Sequence, residues 1–112
     1  MRNLIIILTI LTLAGCKKNY DKDIWTKNAN QNSDNPRFDM TEDLRKNYLL
    51  KGTKSKKVFD LLDKPENVDT TEFGIHWTYS IGSNPGFHID PFYLVVDFDS
   101  TGKLTETRII EH

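Results

Sequence analysis

The chain has 112 residues, with 15 Lys and Arg against 16 Asp and Glu, a formal net charge of −1 and 38% hydrophobic content. That length holds one domain, and the near-balance of charge excludes a basic nucleic-acid binder. A single cysteine excludes an internal disulfide framework and any cysteine-based metal cluster.

Residues 1–15 begin with the basic Met1-Arg2-Asn3, continue as an apolar run from Leu4 to Leu13 broken only by Thr9 and Thr12, and end on small residues. This is the layout of a secretory signal peptide, and the run is too short for a stable membrane span, which takes about 20 residues. Its end, Leu13-Ala14-Gly15-Cys16, resembles the bacterial lipobox, which implies that Cys16 is acylated and becomes the mature N-terminus. Several acyl chains would hold the protein to a membrane far more firmly than one reversible chain.

Residues 16–38 are rich in Asn, Asp and Lys without periodicity, and read as the acylated cysteine followed by a flexible polar tether. A tether of that length reaches roughly 25 Å. Its one apolar spot, Ile24-Trp25, fits contact with the domain or lipid headgroups, or a partner-docking segment.

The folded domain is expected over 39–112. Asp39-Met40-Thr41-Glu42 has capping-box spacing, and Met40, Leu44 and Tyr48 then mark one apolar helix face, with Leu49 and Leu50 beside it and Gly52 closing it. Thr53 or Ser55 can cap a second helix with a buried stripe of Val58, Phe59, Leu61 and Leu62, stopped by Lys64-Pro65. Lys54, Lys56 and Lys57 form its solvated side, or a patch for anionic lipid or an acidic partner.

Beyond Pro65 the period becomes two. Phe73, Ile75, Trp77, Tyr79 and Ile81 alternate with small and polar residues, and Phe92, Leu94, Val96 and Phe98 repeat the pattern after a turn-rich loop at 83–91. Asp99-Ser100-Thr101-Gly102 makes a tight turn into a third strand, Lys103 to Ile110, whose facing the sequence leaves open. The expected fold is therefore α+β in two layers, a helix pair on a three-stranded antiparallel sheet in the order ααβββ.

Chemical motifs are sparse. Asp97-Phe98-Asp99-Ser100-Thr101 matches a phosphatase signature locally, but too little chain follows to build the rest of such a site. The same stretch imitates the start of a calcium loop, with Arg108 where the closing Glu belongs. A hairpin turn accounts for it better. His76, His88 and His112 lack metal-ligand spacing, and no carboxylate stands in a recognisable pair with one of them. Without a nucleophile elbow, phosphate loop or dinucleotide fingerprint, the chain reads as no enzyme, with no cofactor and no metal.

Gly52-Thr53-Lys54-Ser55-Lys56-Lys57-Val58, Leu61-Leu62-Asp63-Lys64-Pro65, Trp77-Thr78-Tyr79 and Tyr93-Leu94-Val95-Val96-Asp97-Phe98-Asp99-Ser100-Thr101-Gly102-Lys103-Leu104 together resemble the SmpA/OmlA (BamE-like) outer-membrane lipoprotein family, from about Met40 to Thr107. Two departures stand out: Asp63 occupies the position where the family usually has Gly, and the threonine cap directly follows Gly52. The resemblance implies a helix pair on an antiparallel sheet, related to the fold repeated in β-lactamase-inhibitor proteins. It further implies a non-catalytic lipoprotein on the periplasmic side of the outer membrane, supporting β-barrel assembly or envelope integrity through a protein partner. An inhibitor or sensor-like module acting on a secreted enzyme or ligand is the alternative. With Ile75, Trp77, Tyr79, Leu94, Val96 and Phe98 turned to the helices, the other sheet face would show His76, Thr78, Tyr93, Val95 and Asp97 as a partner surface. Phe87 and Ile89 either extend that surface or fold back onto the core.

Overall fold

A computed structural model describes residues 18–30, 35–83 and 91–111. The signal segment, Cys16, Phe87, His88, Ile89 and His112 lie outside them. Among the described residues the architecture is α+β: three helices, α1 (Lys22–Lys27), α2 (Arg37–Asn47) and α3 (Ser55–Leu62), precede the strands β1 (Asn67–Thr71), β2 (Gly74–Ser83), β3 (Pro91–Phe98) and β4 (Leu104–Glu111). The strands form one antiparallel meander in the order β1-β2-β3-β4.

The first correction concerns the expected tether. Asp21 caps α1 by accepting from the Ile24 amide, and Trp25 on that helix is fully buried. Its indole N–H donates to the Leu62 carbonyl at 3.1 Å, and its ring meets Tyr79 edge-on at 5.9 Å. Burying a tryptophan contributes several kcal/mol, enough to order a segment whose other residues are polar.

The capping expectations also change. α2 starts two residues before Asp39, because Asn35 does the capping work: its side-chain oxygen accepts from the Arg37 amide and its carbonyl from the Phe38 amide. Tyr48, not Gly52, ends the helix. Gly52, at φ +91°, instead donates its amide to the Leu104 carbonyl at 2.7 Å and joins the helical layer to β4. Lys54 takes the cap position of α3 without a side-chain bond, while the Thr53 hydroxyl donates back to Leu50. The apolar stripe of α3 is narrower than expected: Val58 and Leu62 are buried, Leu61 is half-buried, and Phe59 is 45% exposed against the edge of Trp77.

A fourth strand, β1, was not expected. Every residue in it is exposed, so an edge strand of Asn, Asp and Thr carries no hydrophobic alternation to betray it. The turn from β1 into β2 needs Gly74, where φ is +132° and a Cβ would lie 2.0 Å from the Phe98 carbonyl oxygen. That turn throws Phe73 outward to 80% exposure, removing it from the expected core face.

Tyr79, Ile81, Leu94, Val96 and Phe98 do face the helices, closing on Trp25, Met40, Leu44, Val58 and Leu62, with Ile75 and Trp77 packed against that core. A bulge between Asp97 and Phe98 sets the facing of β4: Phe98 pairs with Leu104 and Asp97 with Glu106. Leu104, Thr107 and Ile109 therefore point inward although their spacing is not two.

Candidate functional site

Cross-strand pairing puts Asp69, His76, Asp97 and Glu106 in one row on the face opposite the helices, with Thr78, Val95 and Arg108 in the next. Side chains on one face of paired strands stand within reach of each other, and here His76, Asp97 and Arg108 bond. His76 Nδ1 lies 2.6 Å from Asp97 Oδ1. Arg108 grips the same carboxylate with both ends of its fork, Nε to Oδ2 at 2.7 Å and Nη2 to Oδ1 at 3.0 Å. The Thr71 hydroxyl stands 2.8 Å from His76 Nε2 and also accepts the Phe73 amide at 3.2 Å.

Burial alone would push the Asp97 carboxyl up, but the hydrogen bonds from Arg108 and His76 outweigh it and hold the group below the usual carboxylate range. The same contact pushes the Arg108 guanidinium up. An ionised Asp97 can only accept, so Nδ1 of His76 carries the proton in that contact, and Nε2 accepts from the Thr71 hydroxyl when the ring is neutral and donates to it when the ring is protonated. Hydroxyl, imidazole and carboxylate thus follow one another in the order of a nucleophile relay. Asp97 is already neutralised by Arg108, however, which weakens its ability to stabilise a second cation on His76. The arrangement is better suited to presenting fixed donors and acceptors than to moving a proton.

The surface expected from sequence is therefore altered. His76, Thr78 and Tyr93 lie on the outer face and are half-buried. Val95 shares the face but is only 3% exposed, since it sits mid-sheet between Thr78 and Arg108, with Tyr93 and Asp97 along its own strand. It cannot be a contact residue. The expected absence of a carboxylate beside any histidine is overturned by the His76–Asp97 pair. Arg108 and Thr71 escaped the sequence reading. Asp97 and Arg108 are eleven positions apart across a hairpin, and only the bulge register brings them together.

Asp99 takes no part. Its Oδ1 accepts from the Thr101 amide, the Thr101 hydroxyl and the Lys103 amide, which is a hairpin turn held by its own side chain. Among the described residues no three His, Cys, Asp or Glu side chains come together as a metal set. No described helix is long and apolar enough to cross a membrane.

A second polar cluster is internal. Arg37 is 1% exposed, lies 4.3 Å over the Trp25 ring and donates to the Trp25 and Ser80 carbonyls at 2.7 and 2.9 Å. Burial pulls its pKa down, and Glu66, at 3.3 Å, opposes that. Glu66 also accepts the Ser80 and Asn30 amides, so this cluster ties the N-terminal segment, α2 and β2 into one unit. No protein-family model, curated protein or solved structure matches the chain.

Proposed function

We propose that this protein is a lipid-anchored, non-catalytic binding module of the cell envelope, most simply a scaffold or accessory subunit in outer-membrane β-barrel assembly or envelope integrity. The observation that carries the binding role is the outer sheet face. The Thr71–His76–Asp97–Arg108 chain is hydrogen-bonded there on the same face as Tyr93, and the described helices all pack on the opposite face. Pre-fixed polar groups beside an aromatic ring can engage a partner at small entropic cost. The lipobox at Cys16 and the SmpA/OmlA resemblance supply the envelope setting.

Mild crosslinking of the tagged protein in its membranes, with Cys16→Ala as control and mass spectrometry of the captured material, tests the proposal. Recovery of β-barrel assembly components that depends on Cys16 supports it. Recovery of a soluble secreted enzyme would replace it with an inhibitor role.

A further inference from the structure

The N-terminal segment fixes where the domain meets its anchor. Tyr20 donates its amide to Asp43 Oδ2 at 2.8 Å and sets its ring, tilted, 5.0 Å from that of Tyr48, while the Lys18 amide reaches the Asp39 carbonyl at 3.4 Å. Asp39 and Asp43 lie in turn along α2 and Tyr48 caps its C-terminal end, so the chain followed backward from Tyr20 to Lys18 heads for the N-terminal end of that helix. That end lies beside the end of β2: Arg37 bonds the Ser80 carbonyl, and a Cβ on Gly82 would stand 2.4 Å from that of Asn35. The end of β2 pairs with the start of β3, and the start of β3 with the end of β4. One pole of the domain therefore gathers the start of α2, Ser83, Pro91 and Glu111. The other pole carries the β1–β2 turn with Phe73 and the Asp99–Gly102 turn, where the Gly102 carbonyl accepts the Ser55 amide.

Cys16 precedes Lys18 by two residues, and two residues of chain span at most about 7 Å. The poles are separated by the length of β2, whose ten residues rise about 33 Å. Resting on the reading of Cys16 as the site of acylation, we propose that the domain stands upright on the bilayer. The pole with Glu111 abuts the lipid headgroups, and the pole with Phe73 points away from them. The occupant of the near pole is the headgroup layer, because a link shorter than the domain by several-fold leaves that pole little freedom to leave it. The strands of the sheet then run along the membrane normal, with the row of His76 and Asp97 set across them.

The test uses the full-length acylated protein in vesicles of phosphatidylethanolamine and phosphatidylglycerol carrying a headgroup-attached energy acceptor. Lipid consumes the native thiol, so Glu111→Cys and Glu72→Cys, both at exposed positions, each offer one site for a donor dye. Energy transfer at Glu111 is expected to exceed that at Glu72 several-fold. A Gly-Ser linker of about 20 residues inserted between Lys17 and Lys18 restores a reach of roughly 25 Å and is expected to bring the two sites close to equality. Equal transfer without the linker, in protein that floats with the vesicles, would overturn the orientation and leave the lipid anchor standing. Greater transfer at Glu72 would overturn it and free the near pole for a protein partner. Failure to float would remove the anchor and the orientation together.

Discussion

Replacing Asp63 with glycine is expected to stabilise the protein. Asp63 closes α3 at φ +63° and ψ −163°, a backbone region that residues with a Cβ adopt at a cost of about 1–3 kcal/mol. Its amide still donates to the Phe59 carbonyl at 2.8 Å, and its carbonyl accepts the Tyr79 hydroxyl at 2.9 Å. Both bonds use main-chain atoms and survive the change, and the side chain itself is exposed. Glycine returns part of the gain through greater freedom of the unfolded chain, about 0.4–1 kcal/mol. The net is about 1 kcal/mol, which for a domain of this size raises Tm by about 4–8 °C. Asp63→Ala keeps the Cβ and removes the charge, so it separates strain from electrostatics. Thermal melts of the three proteins in one buffer decide the matter. If Asp63→Gly melts no higher than the parent, or Asp63→Ala gains as much as Asp63→Gly, backbone strain at this position is not what limits stability.

Asp97→Asn addresses the outer network through pH. The folded-state pKa of Asp97 is depressed, so its stabilisation is present above the unfolded carboxylate value near 3.9 and is lost as pH falls through the folded value. Denaturation followed from pH 7 to pH 2 should show a shallower acid limb for the variant. An unchanged limb would mean the Arg108 and His76 contacts contribute nothing. Trp25→Ala should cost about 3–5 kcal/mol, measured by urea denaturation, and a loss below about 1 kcal/mol would restore the tether reading. Tyr20 is expected to ionise only near pH 12, since burial first and the neighbouring Tyr48 second push its phenol up. Absorbance titration of the parent against Tyr20→Phe reads this directly, and ionisation of Tyr20 near pH 10 would show that its hydroxyl is not held against Leu61. Tyr93→Ala combined with Phe87→Ala should leave the melting transition in place and reduce crosslinked capture in membranes, and undiminished capture would remove the outer face from partner binding.

Strands buried on one face were legible because hydrophobic period two is strong in β2 and β3. The core residues Tyr79, Leu94, Val96 and Phe98 followed from that alternation alone. What escaped notice had no periodic signal. β1 is exposed on both faces, and α1 has six residues, of which only Trp25 is buried. A single tryptophan in a polar run reads as an exception, although its payload of buried area outweighs the composition around it. Helix starts were misplaced for a different reason. Asn35-Pro36 is itself a start signal, an Asn cap with Pro at the first helical position, which the capping-box spacing at Asp39 obscures; the Gly102 carbonyl that holds the Ser55 amide comes from the β3–β4 turn and leaves no local pattern. The outer site was half legible: alternation placed His76, Thr78, Tyr93 and Asp97 on one face, while the bond to Arg108 depends on a bulge that period counting cannot register.

The buried Arg37 gives the N-terminal segment a consequence for the whole molecule. Its guanidinium is satisfied by a carbonyl of α1, a carbonyl of β2 and the Glu66 carboxylate together, so detaching α1 would leave a buried charge short of one partner and uncovered by the Trp25 ring. Removing one partner of a buried charge costs more than the pair contributes when intact, because the desolvation already incurred is no longer offset. Adding the lost burial of Trp25, the penalty is comparable with the whole stability of a domain of this size, about 5–15 kcal/mol. The N-terminal segment therefore cannot peel away as a loose leash while the rest stays native. Disorder entering at the N-terminal segment is passed directly to α2 and β2, and through β2 to His76 and the outer face, so the N-terminal segment and the outer sheet face share one cooperative unit.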